Sequence, residues 1–196
     1  MKIFWAPQSR AARAVWMLEE LGRQYEMEQV DIRAEDRRDS IEFRRASPMG
    51  KVPALIDGDV AMAESAAICL YLADRYSRGL LAPELTDPLR GRFLFWLMYT
   101  PAVIEPAMSE KFNKVPPNRQ RSGWGDFDLM IETWERGLGT DDWILGTDFS
   151  AADVMLGSSA IFLSLFDMLP ASPVLEAYAA RCRSRPAYQR SQERVS

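Results

Sequence analysis

A proline stands at the head of a short apolar run, Val52-Pro53-Ala54-Leu55-Ile56, and this placement restricts the fold more than any other feature of the chain. Pro53 has no N–H to give to a sheet ladder, so it belongs at a strand's first residue or on an exposed edge. The residue before a proline is pushed out of the helical region, which makes Val52 extended. An X-Pro bond can also be cis, usually in a tight turn, and a cis bond would turn the backbone of Val52 outward. An outward, extended residue can pair with a ligand's own peptide group, as in strand addition.

A short way on, Asp59-Val60-Ala61-Met62-Ala63-Glu64-Ser65-Ala66-Ala67-Ile68 reads as a strand running into a helix. The free N–H groups and dipole of a helix start favour a carboxylate. Ser65 adds a hydroxyl, and Glu64 adds a negative charge suited to an ammonium group. A ligand with a peptide group at one end and a zwitterionic amino-acid head at the other satisfies this set. The alternative is ordinary: acids and serine are common in a first helical turn.

The rest of the first half completes a mixed sheet. Lys2-Ile3-Phe4-Trp5 reads as a strand, and Ser9 precedes a helix over Arg10 to Leu21 that Gly22 ends. Tyr25 to Ile32 is a second strand, and Ala34 to Ala46 a short helix or irregular connection. Pro53–Ile56 and Val60–Met62 form a hairpin around Asp57-Gly58-Asp59, and a helix spans Glu64 to Tyr76. The order is β-α-β-α-β-β-α, one mixed sheet covered by helices. Residues 77–88 hold Gly79, Pro83 and Pro88 without periodicity and form a linker. Everything in 89–196 reads as helical. A long helix from Leu89 to about Asn113 should bend or break at Pro101 and Pro106. A second runs from Arg119 to Arg136, stopped by Gly137 and Gly139. The most apolar helix starts at Ser150, where Ser150-x-x-Asp153 is a capping-box-like signal with Phe149 and Val154 placed as a staple. Pro173 to Arg183 and Pro186 to about Arg194 complete the set. The division is therefore 1–76, a linker at 77–88, and 89–196.

Composition excludes several classes. The 196 residues carry a net charge of −4, which argues against a general nucleic-acid binder. A basic run, Arg33, Arg37, Arg38, Arg44 and Arg45, is interleaved with acids and reads as a solvated face, although one of these arginines is available to an anionic ligand. Hydrophobic residues make up 47%, enough for a sizeable core. No apolar stretch approaches the roughly 18 residues of a membrane span, and the N-terminus lacks a signal peptide's apolar region. A soluble cytoplasmic protein is expected. The two cysteines, Cys69 and Cys182, form no Cys-x-x-Cys and read as small buried hydrophobes. There is no histidine, so His-based triads and histidine metal ligands are excluded. No metal is expected.

Four pieces together resemble the cytosolic glutathione S-transferase family, in its bacterial, serine-type form. They are Ser47-Pro48-Met49-Gly50-Lys51-Val52-Pro53-Ala54-Leu55, Glu64-Ser65-Ala66-Ala67-Ile68, Phe149-Ser150-Ala151-Ala152-Asp153-Val154 and Arg185-Pro186-Ala187-Tyr188. Their order and spacing cover nearly the whole chain. The resemblance implies a thioredoxin-like α/β N-terminal domain, an all-α C-terminal domain and a homodimer. It implies glutathione as co-substrate, activated as thiolate for attack on a small apolar electrophile, a detoxification chemistry. A peroxidase, dehalogenase or isomerase using the same thiol is an alternative. So is a non-catalytic glutathione-binding or protein-interaction module.

The resemblance places Ser9 against the glutathione sulfur, in Ser9-Arg10-Ala11-Ala12-Arg13-Ala14-Val15. A free thiol has a pKa near 8.5, so a hydroxyl donor and a helix N-terminus are needed to favour the anion at neutral pH. Read from the residues alone, Ser9 caps its helix; the two roles are compatible. Lys51, Val52, Pro53, Glu64 and Ser65 are the implied glutathione contacts, with Arg38 near the glycine carboxylate. The electrophile site is expected between the domains, with Trp96, Tyr99, Met108 and Phe112 as candidates and Tyr99 able to orient a substrate. An aromatic or methionine stripe is also ordinary core.

Overall fold

The computed structural model describes residues 1–34 and 39–195. By contacts, the chain forms two compact units, one running from Met1 to Arg78 and resuming at Ser184, the other from Gly79 to Arg183.

The first unit begins β1 (Lys2–Trp5), α1 (Ala11–Leu21), β2 (Glu26–Gln29), α2 (Ile41–Ala46), β3 (Ala54–Asp57), β4 (Val60–Ala63) and α3 (Ser65–Tyr76). This is the order read from the sequence, in one sheet of strand order β2-β1-β3-β4. β1 runs parallel to β2 and antiparallel to β3, and β3 pairs antiparallel with β4. Gly58, at φ 61°, makes the tight turn that lets Asp57 pair with Val60. Strand alternation separates Phe4 from Ile3. Phe4 packs on Phe43 of α2, ring centroids 5.2 Å apart, with Ala46 and Ala54 beside it. Ile3 is fully buried on the opposite face. α1 ends at Gly22 in the left-handed region, whose N–H bonds the carbonyls of Glu19 and Leu18.

Six α-helices follow among the described residues. α4 (Arg90–Tyr99), α5 (Glu105–Phe112), α6 (Phe127–Leu138), α7 (Ala151–Leu165) and α8 (Pro173–Ser184) build the second unit, and α9 (Pro186–Val195) returns to the first. α9 packs on α1 through Trp16 and Tyr188, an edge-on pair at 4.9 Å. Arg185 grips Glu20 with two bonds of 2.6 and 2.8 Å, and Arg190 bonds Glu19 at 3.0 Å. Helical content alone grouped this segment with 89–196; its side chains attach it to α1.

In the second unit, Pro101 and Pro106 interrupt the long helix without ending it. A π-helical turn, Thr100–Ile104, joins α4 to α5. Proline removes an intrahelical N–H bond, and a wider turn is one way to accommodate that loss. α6 differs from the sequence reading at both ends. It starts later, because Asp126 caps it by accepting from Leu129 N–H at 2.8 Å while Arg119 pairs with the same carboxylate at 2.7 Å. It also continues through Gly137, where a Cβ would lie 2.0 Å from the Trp96 ring. Glycine there permits close packing on α4, and Gly139 is the residue at the helix end.

The capping box at Ser150 is present. The fully buried Asp153 accepts from Ser150 N–H and hydroxyl, from Ile144 N–H and from Tyr178 hydroxyl, all within 2.9 Å. Burial raises its pKa, against the pull of these four donors. Asp153 thus ties the α7 start to α8 and to the loop before it, a structural role. No helix among the described residues is long and apolar enough to cross a membrane.

Candidate functional site

The loop into β3 is fixed from within. Gly50 N–H bonds Ser47 carbonyl at 2.8 Å, closing a turn with Pro48 at its second position. Gly50 itself sits at φ 65°. The Ser47 hydroxyl donates to Lys51 carbonyl at 2.7 Å and accepts from Lys51 N–H at 2.8 Å. Ser47 is buried, so both backbone groups of Lys51 are held while its side chain reaches solvent. In the sequence, a serine directly before Pro48 is the signal of this role.

The Val52–Pro53 bond is cis. Val52 packs its side chain on the Phe4–Phe43 cluster. Among the described residues neither backbone group of Val52 has a hydrogen-bond partner. Pro53 is buried just before the first residue of β3, the position its missing N–H demands.

β4 then delivers Glu64 and Ser65. Glu64 is exposed and holds φ 73°, a left-handed value that a residue with a Cβ adopts at a cost. Its carbonyl accepts Ile68 N–H at 2.9 Å, but its side chain makes no cap to α3. The first N–H groups of α3 are left for another acceptor, with the buried Ser65 as first helical residue.

Ser9 precedes α1. Its hydroxyl donates to Ala6 carbonyl at 2.6 Å and accepts from Ala11 N–H at 3.2 Å. Ser9 thus bonds the N–H of the first helical residue, while Arg10 stands at the cap position without a side-chain cap bond. Gln8, beside it, sits at φ 52°. Arg38 lies outside the described residues. Arg44 pairs with Asp39 at 2.6 Å, and Arg45 donates to Asp59 carbonyl at 2.8 Å, so these two are occupied.

The electrophile candidates belong to the second unit. Trp96 and Tyr99 are buried, and Tyr99 hydroxyl donates to Met130 carbonyl at 3.0 Å. Burial pushes the Tyr99 phenol up to about 12. Both rings serve α4–α6 packing. Met108 is half-buried and Phe112 exposed on α5. Among the described residues no group of three or more His, Cys, Asp or Glu is placed to hold a metal.

Residues 9–75 match the family model described as glutathione S-transferase, N-terminal domain. Glutathione S-transferase hmp2 of Hypomyces subiculosus is 30% identical over 179 residues, spanning 85% of this chain and 84% of that protein. A glutathione transferase structure from Methylococcus capsulatus superposes with a TM-score of 0.83 at 26% identity, covering 99% and 98% of the two chains. A sphingomonad glutathione S-transferase complexed with glutathione gives 0.81 at 26% identity, covering 100% and 98%. A thioredoxin-like α/β half with an all-helical half is thus the fold class. The chain belongs to the glutathione S-transferase family.

Proposed function

We propose that this transferase binds glutathione along the Lys51–Pro53 edge and the start of α3, and conjugates its thiolate to a small apolar electrophile. The carrying observation is the backbone of Val52, unpartnered among the described residues, together with an α3 start that its own Glu64 does not cap. The Val52 backbone pairs with the cysteinyl peptide group of glutathione. The α3 N–H groups and Ser65 hydroxyl receive the γ-glutamyl carboxylate, and Glu64 receives its ammonium. Lys51 and Arg38 serve the glycine end. The sphingomonad relative's complex with glutathione supports the ligand.

Ser9 stabilises the thiolate. The oxygen keeps its bond from Ala11 N–H, while the hydrogen rotates from Ala6 carbonyl to the sulfur. Only the hydroxyl torsion changes. The thiol proton passes to solvent water, and the sulfur then forms a carbon–sulfur bond as the leaving group departs with its electron pair. Met108 and Phe112 are the electrophile contacts we favour, since Tyr99 hydroxyl and Trp96 are engaged in packing. We place the protein in the cytoplasm as a homodimer with a detoxifying role.

An ultraviolet difference titration of bound glutathione tests this reading. A thiolate signal well below the free-thiol pKa of about 8.5, moved upward in Ser9→Ala, is the expected result. Bound glutathione that stays protonated at neutral pH would identify a binding module, and absence of binding would leave only the fold. Sedimentation checks the dimer, and a monomer at micromolar concentration counts against it.

A further inference from the structure

We propose that a small pocket of the first unit receives a carboxylate carried on an otherwise apolar electrophile, with Arg33 as the group that binds it; this deepens the transferase reading above, narrowing its electrophile class, and rests on it. The pocket has a volume of about 250 Å³ and is lined by Pro7 and residues 29–33. β1 and β2 run parallel and end beside it, at Trp5 and Gln29. Ligands of open α/β sheets bind beyond the carboxyl ends of such strands. The volume is below that of a pocket enclosing a whole drug-sized ligand, and suits one polar group of it.

Two loops are tied together at its rim. Arg33 donates a guanidinium N–H to the Gln8 side-chain oxygen at 3.4 Å, and Val30 N–H bonds Trp5 carbonyl at 2.8 Å. Gln8 holds its left-handed backbone here, a strained conformation of the sort found at ligand sites, and it adjoins Ser9 in the chain. Among the described residues Asp31 is the one acid lining the pocket, and its Oδ1 is turned to the backbone, accepting from Arg33 N–H at 3.0 Å and Ala34 N–H at 3.2 Å. Among the described residues no carboxylate lies within ion-pair distance of the Arg33 guanidinium, whose bonded partner is a neutral amide. A planar guanidinium with donors to spare matches a carboxylate in two-point geometry. Of the basic run, Arg33 thus differs from Arg44 and Arg45, which are occupied.

The test compares 4-chloro-3,5-dinitrobenzoate with its methyl ester. In both, the glutathione sulfur bonds the chlorine-bearing ring carbon and chloride leaves with the carbon–chlorine electron pair. Arg33→Gln should lower kcat/KM for the carboxylate about tenfold or more, leaving the ester and the KM for glutathione unchanged. Arg33→Lys should recover part of the loss. Equal losses for both substrates, or a raised KM for glutathione, would overturn the assignment. Equilibrium dialysis of 3,5-dinitrobenzoate, which has no leaving group, reads the pocket without turnover. Weaker binding to Arg33→Gln than to the unaltered protein is expected, and equal binding sinks the proposal. Arg33-dependent binding in a protein that conjugates neither substrate would count against the transferase reading while sustaining the pocket.

Discussion

The Ser9 hydroxyl oxygen lies 2.6 Å from the Ala6 carbonyl oxygen, so the hydrogen proposed for the glutathione sulfur is held by the strand-to-helix loop. Ser9→Ala removes both this bond and the one from Ala11 N–H. Loss of the Ala11 bond should cost about 1 kcal/mol of stability, read by urea unfolding. The thiolate loses its donor as well. The ascending limb of kcat/KM against pH should move upward while glutathione affinity changes little. A rate and pH profile identical to the unaltered protein would leave Ser9 with a structural role alone.

Gly137 lies under the Trp96 ring, and replacing it sets two effects in opposition. Alanine is the better helix former by about 1 kcal/mol. Its Cβ, however, would stand 2.0 Å from Trp96 Cζ2 and 2.4 Å from Cη2. Moving a buried indole costs about 1–3 kcal/mol, so the clash should win and Gly137→Ala should lower the melting temperature. Pairing it with Trp96→Leu should reverse the sign, because the helix-propensity gain then stands alone.

Glu19 carries a pH-dependent share of the α1–α9 contact. Burial raises its pKa, but bonds from Tyr25 hydroxyl and Arg190 and the charge of Arg194 outweigh it and leave the carboxyl below its ordinary value. A depressed acid stabilises the fold above its unfolded pKa, about 4.3 for Glu, and that contribution is lost as pH falls through the lower folded value. Glu19→Gln should therefore cost about 2 kcal/mol at neutral pH, with the two stability curves converging on acidification. Urea midpoints from pH 7 downward give the comparison.

The cysteines should be inert in the native protein. Both are buried, and burial pushes the Cys69 thiol up to about 12. A thiol reagent at neutral pH should label neither until the chain is unfolded, when both react. Native labelling at the unfolded rate would contradict the packing.

The element order of the first half was legible because each break carries its own turn chemistry, as at Gly22, Asp57-Gly58 and Pro53; the strand order of the sheet was not, since pairing depends on three dimensions. Glu64 and Ser65 were legible as a helix start for the same reason. Gly137 was not, since a glycine that ends a helix and one that admits a neighbouring indole look alike until Trp96 is placed. The start of α6 was hidden similarly: Asp126 is one acid among several, and its pairing with Arg119 depends on three dimensions. For Tyr99 and Trp96, an aromatic stripe does not reveal whether it faces a pocket or, as here, a neighbouring helix. The left-handed backbones of Gln8 and Glu64 have no sequence signature, because nothing in Gln or Glu favours them.

Glu64 offers a separation of stability from binding. Its φ of 73° is held by a residue with a side chain, at a cost of about 1–3 kcal/mol. Glycine adopts that conformation freely, and its extra unfolded-state entropy offsets only about 0.4–1 kcal/mol of the relief. The side chain makes no cap to α3, so its removal breaks no helix bond. Glu64→Gly should therefore gain about 1 kcal/mol in urea unfolding. The same change deletes the carboxylate proposed to hold the γ-glutamyl ammonium, and should weaken glutathione binding about tenfold. Glu64→Ala keeps the strained backbone and should show the binding loss without the stability gain. A gain in stability with unaltered glutathione affinity would remove Glu64 from the site.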